Sequence, residues 1–134
     1  MNSLTIDQIL QIHVLVVGET GGSTGIRDLG RLESVVATQK QNVFDEETYS
    51  GPLIKAAALI RGIIGDHPFV DGNKRTAMLA GLTFLKINGI NLKLARGDLE
   101  NFAVQVAVDK LDVTAIASWL YKHKNYKKSR TKDY

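Results

Sequence analysis

Two stretches that are apolar on nearly every side, LIKAAALIRGIIG (residues 53–65) and TAMLAGLTFLKING (residues 76–89), lie close together in the chain with a polar break between them. Each is too long for an ordinary strand, and a helix that is apolar all round belongs in the middle of a domain. Pro68 lies in the break and cannot sit inside a helix, so the two stretches cannot fuse into one long rod. The chain therefore reads as mostly helical, with two central buried helices. The connection between them is the decapeptide HPFVDGNKRT, residues 67–76.

Amphipathic helices are expected around that pair. Ile6, Ile9, Leu10, His13, Val16 and Val17 recur at spacings of three and four over residues 5–17, with Thr5 or Ser3 as cap and Gly18 as stop. The glycine-rich run GGSTGIRD is too flexible for a helix, and Leu29, Leu32, Val35 and Val36 mark a short one after it. Residues 40–52 are polar and end in Ser50-Gly51-Pro52, with Pro52 suited to open the first buried helix. Asn88-Gly89 stops the second, and INLKL reads as a brief extended piece. A helix starting at Asp98 carries Leu99, Phe102, Ala103 and Val106, and a last one, capped by Asp112, carries Val113, Ile116, Ala117, Leu120 and Tyr121.

A chain of 134 residues with 44% hydrophobic and 23% charged residues is one globular domain with a real core. It holds no cysteine, which removes disulfides, thiolate metal sites and thiol nucleophiles. Asp7 and Gln8 interrupt the first apolar run and no basic segment precedes it, so a signal peptide is not expected. No apolar run reaches the roughly 18 residues of a membrane span. The cytoplasm is the expected compartment. The net charge of +3 is concentrated in KHKNYKKSRTKDY, residues 122–134, which holds six Lys or Arg against one Asp. We read residues 1–122 as the folded domain and 123–134 as a basic tail.

The decapeptide carries the chemistry. Gly72 permits unusual dihedrals and Asn73 is a favoured N-cap, so the second buried helix is expected to restart around Lys74. That puts Lys74 and Arg75 at the positive end of the helix dipole, a placement that costs roughly 0.3–1 kcal/mol per exposed cation. A bound anion reverses the sign. Free amides, a glycine turn and two cations at a helix start make a phosphate site. Asp71 supplies a hard oxygen beside it, and Mg²⁺ needs only one or two carboxylates when phosphate oxygens complete its shell. The His67 imidazole can act as general base. Base, metal ligand and phosphate cradle together suit transfer from a nucleotide to a hydroxyl. Taken singly, a His and an Asp four apart, or a Gly-Asn turn, are ordinary structure; the conjunction with two cations at the wrong helix end is not. Phe69 is expected to anchor the loop in the core.

HPFVDGNKRT resembles the signature of the Fic/Doc family: His-Pro-Phe, a variable residue, Asp or Glu, Gly-Asn, Gly or Lys, then Arg. The resemblance includes GGSTGIRDLGRLESVVA and KAAALIRGIIGDHPF, spans about residues 4–121, and points to the branch of the death-on-curing toxins. It implies the all-α Fic fold and ATP- and Mg²⁺-dependent modification of a protein hydroxyl. By position, His67 is similar to the family's base, Asp71 to its Mg²⁺ ligand, and Gly72, Asn73, Lys74 and Arg75 to its phosphate loop. AMP-transferring members have a second Gly where this chain has Lys74 and a second Arg where it has Met78. Both departures are similar to the death-on-curing branch, which phosphorylates translation elongation factor Tu; Gly72, however, stands where a known member of that branch has Ala. Phosphate transfer is the expected activity and AMP transfer the alternative.

The GGSTGIRD run reads from composition as a flexible interhelical loop. By resemblance it is similar to the family's target-positioning flap, which makes Ile26, Arg27 and Asp28 candidate target-binding residues. Self-inhibited members carry a Ser/Thr-x-x-x-Glu-Gly/Asn helix. Here Glu100-Asn101 is preceded four positions earlier by Arg96, so inhibition is expected from a separate antitoxin. His13 is expected as a core or boundary histidine, Trp119 as core packing and His123 as a solvated tail residue. The tail supports a rival of another class, a nucleic-acid-binding module using Lys, Arg and Tyr. A solvated end or a contact to an acidic antitoxin segment explains it as well, and nucleic acid is not the expected partner.

Overall fold

The computed structural model describes residues 1–43, 46–47 and 51–125. It is all-α: α1 (Ile6–Thr20), α2 (Leu29–Ala37), α3 (Pro52–Asp66), α4 (Asn73–Ile87), α5 (Asp98–Asp109) and α6 (Val113–Lys122), with a 3-10 turn at Thr38–Lys40. Two strands of two residues each, β1 (Asn42–Val43) and β2 (Glu46–Glu47), pair antiparallel between α2 and α3 in the chain.

The two apolar stretches become α3 and α4, which pack against each other at the centre. α6 and α2 close over α3, while α1 and α5 flank α4. Leu59, Ile60 and Ile63 of α3 and Ala77, Phe84 and Leu85 of α4 have no solvent exposure. Each large side chain buried this way contributes roughly 1.5–3 kcal/mol. Close approach of the pair depends on Gly81, where a Cβ would stand 2.6 Å from Ile60 Cδ1. Lys55 is buried among these residues, its ammonium donating to the Gln39 carbonyl at 2.5 Å.

Local sequence signals set most of the helix ends. Thr5 rather than Ser3 caps α1 through a reciprocal pair, with Gln8 N on Thr5 Oγ1 at 3.1 Å and Thr5 N on Gln8 Oε1 at 2.8 Å. Asp28 caps α2 and Asp112 caps α6. Gly18 does not stop α1. A single helical glycine costs only about 1 kcal/mol, and the helix continues to Thr20, where Gly21 and Gly22 both take positive φ. The INLKL segment pairs at one residue, Leu92 opposite Lys124. The start of the tail is held to it, since Lys93 N donates to His123 O and Asn125 N to Asn91 O.

His123 is not the solvated residue its basic neighbours suggest. Its ring stacks on Trp119 at 4.0 Å and its Nδ1 donates to the Trp119 carbonyl, because α6 carries it back over the indole, whose other face lies against Phe102. Residues 126–134, which carry most of the basic tail, lie outside the described residues. None of the described helices is long and apolar enough to cross a membrane.

Candidate active site

The decapeptide forms the turn from α3 to α4. Pro68 ends α3 at Asp66, and His67 takes the C-cap in the left-handed conformation, φ 49 and ψ 58, its own amide donating to Ile63 O at 3.2 Å. The His67 imidazole is exposed, with Nδ1 3.3 Å from the Gly65 carbonyl. A carbonyl only accepts, so Nδ1 is the donor in this contact, and in the neutral ring that leaves the lone pair on Nε2. Phe69 is buried, as expected of an anchor, and stacks on His13 with ring centroids 3.8 Å apart and planes 10° from parallel. From beneath the loop, His13 Nε2 donates to the Asp71 carbonyl at 2.8 Å.

Asp71 points its exposed carboxylate the other way, and Oδ2 accepts the Ser23 amide at 2.7 Å. Gly72 then supplies φ 77 at the N-cap of α4. Asn73 is not the cap. It is the first helical residue, and its side-chain amide pairs with the whole peptide of Phe69, accepting from Phe69 N at 3.0 Å and donating to Phe69 O at 2.9 Å. That arrangement uses both the donor and the acceptor of the amide, where a cap uses only the oxygen. With glycine at the cap, none of the described side chains satisfies the first amides of α4. They face outward at the positive end of the helix beside the exposed side chains of Lys74 and Arg75.

Arg75 Nη2 lies 3.4 Å from Glu19 Oε1 across a solvent-exposed gap, with the two side chains 46% and 69% exposed. Behind the two cations a cavity of about 200 Å³ opens between α4 and α5, floored by Met78, Leu79, Leu99 and Ala103. A second cavity, of about 360 Å³, lies beside His67 between the ends of α3 and α5, with Arg61, Ile64, Val106 and Lys110 in its wall.

The glycine-rich run is not a free loop. Ile26 and Phe69 form an antiparallel bridge, with Arg27 N donating to Pro68 O at 2.7 Å and Val70 N to Gly25 O at 3.0 Å. Ile26 is 40% exposed, and its own amide and carbonyl face away from that pairing. Asp28 holds the N-terminus of α2 through Arg31 N, and the Arg27 guanidinium turns back onto the end of α3. Ile26, Arg27 and Asp28 are thus brought against the loop that carries His67 and Asp71. The amide of Ser23 and the side chains of His13 and Glu19 escaped the reading of the motif, since they touch it only through folding. The spacing of His13 on the buried face of α1 was the one signal available.

Asp71, the first amides of α4 and the side chains of Lys74 and Arg75 are the groups that would hold a magnesium nucleotide. Among the described residues no cluster of three or more His, Asp or Glu side chains is gathered. A cation at Asp71 would draw on phosphate oxygens and water, which is how Mg²⁺ is usually held beside a nucleotide. Uncapped amides and two exposed cations next to the carboxylate fit the phosphates.

Comparison with known proteins identifies the family. The sequence model of the Fic/DOC family matches residues 3–85. The chain is 40% identical over 103 residues to Toxin Doc of Mycolicibacterium smegmatis, covering 75% of this chain and 78% of that protein. It is 28% identical over 120 residues to Protein kinase doc of Escherichia phage P1, covering 90% of this chain and 94% of the phage protein. With the signature loop folded between two buried helices and the family model matched over more than half its length, the chain belongs to the Fic/Doc family.

Proposed function

We propose that this protein is the toxin of a toxin–antitoxin pair, and that it transfers the terminal phosphate of ATP to a hydroxyl of a target protein. Elongation factor Tu is the candidate target, the arrest of translation in the cytoplasm the consequence, and a separate antitoxin the inhibitor. The observation that carries the reading is the α3–α4 turn. It presents an exposed imidazole, an exposed carboxylate and an amide-lined helix start flanked by two cations on one short loop.

In this reading His67 Nε2 takes the proton of the target hydroxyl, and the hydroxyl oxygen displaces nucleoside diphosphate from the terminal phosphoryl group. The amides of Asn73, Lys74 and Arg75 and the two cationic side chains hold the phosphates. Asp71 is the residue that would hold Mg²⁺, which when bound neutralises phosphate charge. The target's backbone is read by the outward-facing amide and carbonyl of Ile26, as an extended segment adds to a free strand edge.

Two features favour phosphate transfer over AMP transfer. Lys74 fills the space next to the helix start that a glycine would leave open. Met78 is buried in the floor of the neighbouring cavity, giving an apolar surface where an arginine would hold phosphate. The name of one relative, a protein kinase, points the same way. The test is incubation with cell extract and ATP labelled separately on the α- and γ-phosphates, with and without Mg²⁺. Mg²⁺-dependent protein labelling from the γ-position alone is expected; labelling from the α-position overturns the kinase in favour of AMP transfer.

A further inference from the structure

The backbone at the end of α3 is held from residues 27 and 28, by Arg27 at three carbonyls and by the Asp28 amide, which shares the Pro68 carbonyl at 3.0 Å. Arg27 Nη2 donates to the Asp66 carbonyl at 2.5 Å and Arg27 Nε to the His67 carbonyl at 2.6 Å, while the Arg27 amide takes the Pro68 carbonyl at 2.7 Å. Three successive carbonyls are therefore claimed by one residue. We propose that Arg27 is the positioning residue of His67, acting through the main chain and not on target or nucleotide. The inference rests on the reading of His67 as the base.

His67 needs such support. Its φ of 49 lies in the left-handed region, which residues with a Cβ seldom occupy, and Lys110 is the only other non-glycine residue there among the described residues. The bond from His67 N to Ile63 O fixes the near side of the residue, and the ring Nδ1 lies 3.3 Å from the Gly65 carbonyl. Neither restrains the peptide plane that follows. The bond from Arg27 Nε to His67 O does, and with ψ held the Cα–Cβ direction of the imidazole is set. The guanidinium suits the task because its donors lie in one plane at fixed angles, and its charge faces the negative end of α3.

The neighbouring arginine acts differently. Arg31 Nη1 lies 3.4 Å from the Asp66 carboxylate and Arg31 Nε 3.2 Å from that of Asp28, so it ties α2 to α3 without touching the His67 backbone. With Arg31 and the Ile26–Phe69 bridge in place, removing the Arg27 side chain leaves the fold closed. The Arg27 side chain is exposed, and its loss is not a core defect.

The test compares wild type with Arg27→Gln and Arg27→Lys, after thermal melts establish that each is folded. Nitrogen-15 spectra of the three histidine rings, assigned with His67→Asn, report the His67 tautomer directly. Arg27→Gln is expected to move the His67 ring signals toward those of a freely exchanging imidazole, with Lys intermediate. Transfer from γ-labelled ATP to purified elongation factor Tu should lose about 10–100-fold in kcat with little change in KM for the target, as misplacement of a reacting group does. His67 ring signals that coincide with wild type in Arg27→Gln overturn the proposal. So does a raised KM for the target at unchanged kcat, which makes Arg27 a target contact. If wild type transfers no γ-label, the kinase reading fails, and the ring spectra still decide whether Arg27 positions His67.

Discussion

The Ser23 amide donates to Asp71 Oδ2 at 2.7 Å, so the flap and the candidate metal ligand are one hydrogen-bonded unit although 48 residues separate them in the chain. Ordering of the flap and orientation of the carboxylate are thereby coupled.

Asp71→Asn separates charge from anchoring. The asparagine oxygen can still accept from Ser23, while the ligand becomes neutral and poorer for a hard cation. The gain in ATP affinity on adding Mg²⁺, measured by calorimetry with and without chelator, is expected to shrink. The apo melt should stay near wild type. An unchanged Mg²⁺ dependence removes Asp71 from the metal site.

Replacing His67 calls for a residue that tolerates its backbone. Asparagine is enriched in the left-handed region and alanine is not, so His67→Asn removes the base with less conformational disturbance than His67→Ala. Transfer is expected to fall by about 10²–10⁴-fold with ATP binding retained. Wild-type turnover in His67→Asn refutes the base.

The α3–α4 architecture could be read from sequence because it rests on local rules: two apolar runs, a proline that breaks them and a glycine that turns the chain. His67, Asp71, Lys74 and Arg75 occupy one continuous motif, so their nearness on the α3–α4 turn could be read in the same way. What could not be read depends on contacts across the fold. The composition of GGSTGIRD suggests a loose loop, yet main-chain bonds to Pro68 and Val70 fix it, and nothing in its residue types announces them. Asn73 has the identity of a cap, and only the nearness of the Phe69 peptide gave its amide a better pairing. His123 looked solvated among lysines until α6 brought it back over Trp119.

His13 should matter for stability and loop geometry together. It is 1% exposed, stacked on Phe69 and bonded to the Asp71 carbonyl. His13→Phe keeps a ring in the stack and leaves the carbonyl without its donor, a loss of about 1–3 kcal/mol. Denaturant unfolding is expected to show a lower midpoint at unchanged slope. A midpoint equal to wild type means the hydrogen bond contributes nothing net.

Lys74 and Arg75 give the sharpest test of the phosphate cradle, because two cations at the positive end of α4 gain their value only when an anion arrives. The contact of Arg75 with Glu19 is exposed and 3.4 Å long, and pairs of that kind are worth about 0–1 kcal/mol. Arg75→Gln should therefore leave the apo melt nearly unchanged, the lost pair being offset by relief at the helix start. The rise in melting temperature on adding Mg-ATP should fall sharply, since a ligand stabilises only what it binds. Lys74→Gly then probes the identity of the transferred group. It opens space beside the α4 amides and is expected to lower γ-phosphate transfer, with any new label arriving from the α-phosphate. If Arg75→Gln melts well below wild type without nucleotide and gains the full Mg-ATP shift, the pair holds the fold together and the cradle reading is wrong.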